Sequence, residues 1–309
     1  MGCVEVPALP LQILLKTHPE WSGKPVVVVA EEKPQGAVLF ANPPASRAGV
    51  RPGMRYAVGL SLSGDLRAGV VSPTEIAAAV QALAGRLQEF TPYVEPFPAD
   101  AGVFWLDLGG LDQHWPDWKR CASAVRSATA DLGFASRVVV GFSRFGTWAV
   151  AKVTPAAQVF ADPGQERAAA LQVPIARLSL DASLRNMLRR LDIRTVADFV
   201  RLPADGVLQR FGADAHRLHG LAAGALVVPL QPRPADVPFR EGIHLEDPIA
   251  DAAAALFLIK GLLHRLLSTL AEKGQCLSAV SVGLTPEGLP AAWHKLRPAA
   301  PTLDQGLLL

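Results

Sequence analysis

The sequence predicts a multidomain protein that combines α/β and α+β parts, and three observations lead to this fold class. The chain has 309 residues, which is enough for two or three domains at roughly 100–200 residues each. Strand-like and helix-like segments alternate up to about residue 164, whereas residues 165–233 contain short helical segments only. From Pro238 onward, strands flank one long apolar helix.

Apolar runs and helix start signals define the elements of the α/β part. A short strand begins at Cys3 and runs into a helix. Ser72-Pro73-Thr74-Glu75 has the pattern of a capping box and starts another helix. The predicted helices end near residues 15, 90, 132 and 152. The buried strands, predicted from β-branched or mostly apolar runs, are residues 24–30, 103–108 and 137–142.

The helical part is basic, because residues 165–233 carry ten Arg and six acidic residues. Pro174, Pro203 and Gly212 are predicted to separate its helices. The proline-rich residues 228–234 predict an extended, semi-rigid linker. The elements predicted after the linker are a strand over residues 239–245, a helix over 249–273 and a strand over 276–284.

Composition and sequence pattern argue against disulfide-rich, zinc-binding, membrane and secreted proteins. The formal net charge is +2, and the three cysteines include no Cys-x-x-Cys pair, which argues against a disulfide framework and a thiolate zinc site. The most apolar stretch, residues 252–270, contains Lys260, His264 and Arg265, so no membrane segment is predicted. The N-terminus lacks a secretory signal pattern, and we expect a cytoplasmic protein. The apolar ending at Leu309 predicts a fragment of a longer protein.

Taken in chain order, these segments resemble the Y-family, or translesion, DNA polymerases, and most closely their ImuB-type polymerase-like branch. The resemblance rests on residues 3–11, 140–143 and 151–152 for the palm, 23–28 and 48–54 for the fingers, and 191–199, 202–203 and 210–212 for the thumb. It implies a right-hand polymerase architecture with a palm (1–10 and 77–164), small fingers (11–76), a helical thumb (165–233) and an incomplete little finger (238–309).

The palm departs from the pattern of active family members. In that pattern, carboxylates on neighbouring palm strands hold two divalent ions. The leading acidic position matches Glu5, but the second falls on Pro7, and the Asp-Glu pair falls on Gly102 and Val103. Asp100 would approach only if the strand slipped by two residues. The resemblance therefore implies degenerate positions, no catalytic residue, no metal and no cofactor.

The nucleotide-binding positions also depart from the family. The Tyr and Arg that contact the incoming triphosphate correspond to Pro43 and Ser46, and the aromatic residue that rejects a ribose hydroxyl corresponds to Leu9 or Pro10. Only Lys152 matches, at a family lysine near the triphosphate. We therefore expect no productive nucleotide binding.

In the thumb, Ser179, Leu180 and Asp181 stand where active members have a Gly-Ile-Gly-like hairpin, and Asp181 would repel a phosphate. The candidates for contact with the DNA backbone are Arg194, Arg201, Arg210 and Arg217. Surface salt bridges would explain these arginines equally well.

The resemblance implies a non-catalytic, DNA-binding adaptor in damage-induced (SOS) translesion synthesis and mutagenesis, cytoplasmic and associated with the nucleoid. Its implied partners are primer-template DNA, bound weakly, an error-prone C-family DNA polymerase, a RecA-like accessory protein and the sliding clamp, reached through a region beyond this chain. Two alternatives stay open. One is an active translesion polymerase with an altered metal site built from Glu5, Asp100 and Asp107. The other is a structural scaffold for protein interactions that does not bind DNA.

Overall fold

A computed structural model describes residues 1–232, 239–245, 248–249, 251–272, 274–286, 288 and 290–308. The chain divides into two compact units, Met1–Ala235 and Asp236–Leu309. The strands of the first unit are β1 (Gly2–Glu5), β2 (Val26–Val29), β3 (Val38–Ala41), β4 (Arg67–Gly69), β5 (Val94–Pro96), β6 (Val103–Leu106), β7 (Arg137–Val140) and β8 (Ala157–Val159). Its α-helices are α1 (Leu9–Thr17), α2 (Pro43–Arg47), α3 (Tyr56–Leu62), α4 (Pro73–Leu87), α5 (Trp118–Asp131), α6 (Arg144–Ala151), α7 (Pro163–Leu171), α8 (Ala182–Arg190), α9 (Val196–Val200) and α10 (Ala204–Ala223). The second unit contains α11 (Ala252–Glu272), β9 (Val280–Leu284) and β10 (Ala292–Leu296).

A five-stranded central sheet, in the order β5-β6-β1-β7-β8, organises the first unit. Strand β1 lies in the middle and pairs antiparallel with β6 and β7, while β7 pairs parallel with β8. The predicted strands that became β1, β6 and β7 are confirmed. Strands β5 and β8 were not predicted, because three residues are too few to show a period.

The central sheet is covered on both faces. Val4 and Phe104 lie on the face that packs against α4 and α5. Cys3 and Val103 lie on the other face, which packs against α6 and the helices that follow it. Strands buried on both faces need apolar residues at nearly every position, which explains why their sequences are continuous apolar runs.

A second sheet, in the order β3-β2-β4, is joined to the central sheet by α1. Leu11 and Leu14 of α1 pack with Val26 and Val28 of β2, whereas Leu9 belongs to the apolar cluster of the central sheet. Strand β2 was predicted, and α4 begins with the predicted capping box. Strand β3 was missed although its four residues are all apolar, and β4 was missed because its three residues are too few to show a period.

The predicted helical part forms α7 to α10, and the breaks fall at the predicted residues. Pro203 precedes α10, and Pro174 precedes a short 3₁₀ turn, Ile175–Arg177. Gly212 interrupts α10 with φ +85° and ψ −178°. Among the common residues only glycine adopts this combination readily, so α10 consists of two helical halves that meet at Gly212.

The start of the predicted linker is fastened to the central sheet. Arg144 donates to both carboxylate oxygens of Glu95 and lies 3.9 Å from the ring centre of Trp105. The same guanidinium donates to the carbonyl of Pro229 at 3.2 Å, and the amide of Gln231 donates to Glu95 at 2.6 Å. The linker is therefore anchored in this first half, while its residues 233 and 234 lie outside the described part of the chain.

In the second unit, the predicted strand over residues 239–245 is wrong. These residues pair with no described strand and pack along α11: Phe239 lies against the cluster of Leu263, and Glu241 accepts from Arg265 at 3.0 Å. The predicted helix is confirmed as α11. The predicted strand over residues 276–284 is confirmed only in its second half, as β9, which pairs with the unpredicted β10.

The domain ranges remain predictions. Helices α1, α4 and α7 run across the predicted boundaries at residues 10/11, 76/77 and 164/165. The predicted start of the last part, Pro238, lies outside the described residues. By length and composition alone, α11 is a candidate membrane span, which is weak evidence because core helices also meet this criterion. The prediction of no membrane segment is therefore untested.

Candidate functional site

Glu5, the last residue of β1, lies at the centre of a row across the central sheet. It stands opposite Val103 of β6 and opposite Arg137 of β7. Directly opposed residues on antiparallel strands project to the same face. Glu5 is 6% exposed, so its carboxylate needs partners within the protein.

Two cations provide these partners. The ammonium of Lys152 lies 3.0 Å from Oε1 of Glu5, and the guanidinium of Arg137 lies 3.2 Å from Oε2. Lys152 caps the C-terminus of α6, where a helix favours positive charge. Arg137 also donates to the carbonyl of Lys152 at 3.1 Å, which ties β7 to the end of α6.

Asp100 completes what we call the ion cluster: Glu5, Asp100, Arg137 and Lys152. Its Oδ2 lies 2.6 Å from the Lys152 ammonium and also accepts from the Ser179 hydroxyl at 2.6 Å. The expectation that Asp100 approaches only through a slip of the strand is wrong. Glu5 stands opposite Val103 without any slip of the strand. In the turn before β6, the Val103 amide donates to the Asp100 carbonyl, and this turn brings the Asp100 carboxylate into contact with the Lys152 ammonium.

The other degenerate positions offer no carboxylate. The carbonyl of Gly102 accepts from the amide of Val6 at 2.7 Å, and a Cβ at residue 102 would collide with the Val6 carbonyl oxygen. An aspartate at this position would therefore require the backbone to move. Val103 is fully buried, and Pro7 contributes only its carbonyl, which accepts from Gln12.

The cluster sets the protonation of its neighbours. Burial lowers the pKa of the Lys152 ammonium, but Glu5 and Asp100 outweigh burial and raise the pKa above its usual value of 10.5. Burial, with the nearby charge of Glu5, raises the pKa of the Cys3 thiol far above its usual range. Lys152 therefore stays charged and Cys3 stays a neutral thiol, which is a poor metal ligand.

The residues present do not fit the two divalent ions of phosphoryl transfer. The two carboxylates that converge, those of Glu5 and Asp100, do so on an ammonium. Among the described residues, no group of three or more His, Cys, Asp or Glu side chains could hold a metal ion. Asp107 cannot join them, because it follows the opposite end of β6, about 13 Å along the strand from Val103.

The two positions predicted to have lost nucleotide contacts lie in α2, beside the second sheet. Pro43 is exposed in the first turn, and the half-buried Ser46 accepts from Arg51 through its carbonyl oxygen. The amide of Asn42 caps this helix and fixes its start to the chain before β2. Of the positions at the ribose, Leu9 is buried and Pro10 is half-buried in α1.

At the first predicted thumb hairpin, the N-terminus of α8 is closed by its own side chain. The carboxylate of Asp181 accepts from the amides of Ser183 and Leu184, at 2.7 and 3.3 Å. These are the amides that a phosphate would otherwise contact at a helix N-terminus.

The four candidate arginines fall into two pairs. Arg194 contacts Asp192 at 2.7 Å, and Arg201 contacts Asp198 at 3.7 Å. Arg210 and Arg217 are exposed and form no ion pair with any residue that the structure describes. They flank Gly212, and we call residues 210–217 the second hairpin.

Arg137 and Ser179 were not identified as partners of the site from sequence. Arg137 occupies the first position of a β-branched strand, where a cation is unremarkable, and Ser179 was considered only as part of the hairpin. The partners lie 132 and 79 residues from Glu5 and Asp100, respectively. No local pattern connects residues at that separation.

Comparisons with known proteins agree with this fold. The impB/mucB/samB family model matches residues 5–154. A crystal structure of DinB from Sulfolobus solfataricus superimposes with a TM-score of 0.62 at 16% identity, covering 99% of this chain and 90% of that one. An insertion ternary complex of Dbh DNA polymerase gives a TM-score of 0.60 at 17% identity. The family model over residues 5–154 and the shared fold make this chain similar to Y-family polymerases, with the predicted palm, fingers and thumb architecture.

The chain is also similar to an ImuB protein. It is 29% identical to protein ImuB of Caulobacter vibrioides over 202 residues, which are 65% of this chain and 43% of ImuB. The chain thus spans less than half the length of that relative. It is also 25% identical to DNA polymerase IV of Legionella pneumophila over 278 residues, which cover 85% of this chain and 74% of the relative.

Proposed function

We propose that this protein is a non-catalytic Y-family homologue that binds primer-template DNA and acts as an adaptor in damage-induced translesion synthesis. The single observation that carries the proposal is the Lys152 ammonium between Glu5 and Asp100. A polymerase needs those carboxylates for divalent ions that activate the primer hydroxyl and stabilise the leaving pyrophosphate. In this chain the Lys152 ammonium pairs with both carboxylates.

The proposed DNA contact uses the second hairpin. Arg210 and Arg217 flank the Gly212 turn, are exposed and have no acidic partner among the described residues. Two free guanidinium groups beside a helix start provide charge and backbone amides suited to a phosphate. We propose that Arg194 and Arg201 contribute less to DNA binding, because Asp192 already pairs with Arg194 and Asp198 with Arg201.

The proposed partners are an error-prone C-family polymerase, a RecA-like accessory protein and, through a region outside this chain, the sliding clamp. Similarity to ImuB supports these partners, and the pairing of the ion cluster is consistent with recruitment in place of synthesis. We propose that this occurs in the cytoplasm at the nucleoid.

Primer extension tests the absence of catalysis. With Mg²⁺ or Mn²⁺, primer-template DNA and all four deoxynucleotides, we expect no templated incorporation by the full chain. Templated incorporation that disappears in Glu5→Ala would establish the alternative function, an active polymerase. That alternative is favoured by the similarity to DNA polymerase IV.

A salt titration tests DNA binding. We expect the affinity for labelled primer-template DNA, measured by fluorescence anisotropy, to fall with rising salt, because phosphate contacts release counterions. Absence of measurable affinity at low salt would leave the scaffold without DNA binding as the correct interpretation.

A further inference from the structure

The charges of the ion cluster balance, and its two central members are buried. Two carboxylates face two cations, and Lys152 and Glu5 are each 7% exposed at the side chain. Both Glu5 Oε1 and Asp100 Oδ2 lie within 3.0 Å of the same nitrogen. Two carboxylates that converge in this way repel one another unless a cation lies between them.

Lys152 is held in place from several directions. It follows α6 directly, its carbonyl accepts from Arg137, and its ammonium lies 5.8 Å from the ring centre of Trp148. The raised pKa of the ammonium agrees with this placement, since the acids outweigh the cost of burial. The ammonium is thus part of the fold and not a mobile surface charge.

Asp100 extends the cluster to the first predicted thumb hairpin. A single oxygen, Oδ2, is shared by the Lys152 ammonium and the Ser179 hydroxyl, both at 2.6 Å. Ser179 lies two residues before Asp181, which caps α8. The position of one carboxylate therefore links the central sheet to the hairpin that precedes α8.

We propose that Lys152 is the resident cation of the palm, because its ammonium occupies the place between Glu5 and Asp100 that a divalent ion would take. Through Asp100, it also holds Ser179 of the first predicted thumb hairpin in place without any metal. The proposal concerns the palm itself and does not depend on the adaptor role. It implies a latent divalent-cation site, which appears when the ammonium is removed and space is left for an ion.

Three variants of the full chain test the proposal. Lys152→Ala removes the ammonium and leaves room, Lys152→Met removes the charge but keeps the bulk, and Lys152→Ala/Asp100→Asn also removes one carboxylate. In thermal unfolding we expect Mn²⁺ at several times its Kd to raise the melting temperature of Lys152→Ala by roughly 2–4 °C. The wild-type protein, Lys152→Met and the double variant should not respond.

Electron paramagnetic resonance of free Mn²⁺ should show one saturable site in Lys152→Ala and none in the wild type. Lys16→Ala is the matched control, because Lys16 donates to a backbone carbonyl and has no carboxylate partner among the described residues. Mn²⁺ binding that is equal in Lys152→Ala and the control would overturn the proposal. If Lys152→Ala does not fold, the wild type decides: stabilisation of the wild type by Mn²⁺ would show that the ammonium does not fill the site. Primer extension, by contrast, tests the proposed function alone.

Discussion

The ion cluster and the second hairpin use charge in opposite ways. In the cluster, Lys152 and Arg137 are turned inward and paired with Glu5 and Asp100. At the second hairpin, exposed arginines flank a backbone turn and have no described acidic partner. Paired buried charges stabilise one conformation, whereas free exposed charges are available to an external phosphate. The carboxylates of the ion cluster therefore have partners within the protein, whereas the second hairpin has exposed charge, as the DNA contact proposed for it requires.

The largest expected effect comes from breaking the cluster. Lys152→Met leaves the buried Glu5 with Arg137 alone and removes the cation from the partly exposed Asp100, so we expect the free energy of unfolding to fall by about 3 kcal/mol, the lower end for a buried pair. Urea unfolding followed by circular dichroism measures this loss. Lys16→Met should cost about 1 kcal/mol or less, since that side chain is exposed. Equal losses in the two variants would contradict the contrast between paired and free charge.

The second expected effect concerns the backbone of the second hairpin. Gly212 has φ +85° and ψ −178°, and a Cβ there meets no neighbouring atom, so Gly212→Ala tests strain alone. We expect a loss of about 1–3 kcal/mol in stability and weaker DNA binding. Gly206→Ala, within the first half of α10, is the control and should leave both properties nearly unchanged or raise stability. If Gly212→Ala leaves stability and DNA binding unchanged, the turn does not require glycine.

A smaller effect distinguishes the two pairs of arginines. Arg210→Ala and Arg217→Ala should each lower the slope of log affinity against log salt by about 1, and reduce DNA affinity several-fold. Arg194→Ala and Arg201→Ala should have weaker effects, because those guanidinium groups already contact Asp192 and Asp198. Anisotropy titrations at several salt concentrations measure all four. Equal effects in both pairs would show that an ion pair within the protein does not weaken the contact of an arginine with DNA.

The smallest effect is a dependence on alkaline pH. Because the folded state raises the pKa of Lys152 above 10.5, its contribution to stability is complete below that value and is lost as the pH rises through the folded-state pKa. The difference in unfolding free energy between the wild type and Lys152→Met should therefore be constant at neutral pH and shrink above about pH 10.5. A difference that grows with alkaline pH would mean that the ammonium is destabilised by its surroundings.

Much of the fold could be predicted from sequence because its signals are local. The apolar run of β2, the capping box of α4 and the break at Gly212 each depend on a few neighbouring residues. The strand predicted over residues 239–245 failed, because a short segment of mixed polar and apolar residues does not reveal whether it pairs with a strand or packs along a helix.

For the candidate site, the sequence predicted which positions cannot bind a metal ion, but not which side chains come into contact. The sequence by itself determined that Pro7, Gly102 and Val103 carry no carboxylate, and that Lys152 is a cation near the end of a helix. The tertiary structure decided that this ammonium meets Glu5 and Asp100, that Arg137 and Ser179 join them, and that Asp107 lies apart. Periodicity and capping act over one or two turns of chain, whereas these contacts join residues 52 to 147 positions apart. Such contacts form only once the register of β1 with its two neighbours is set.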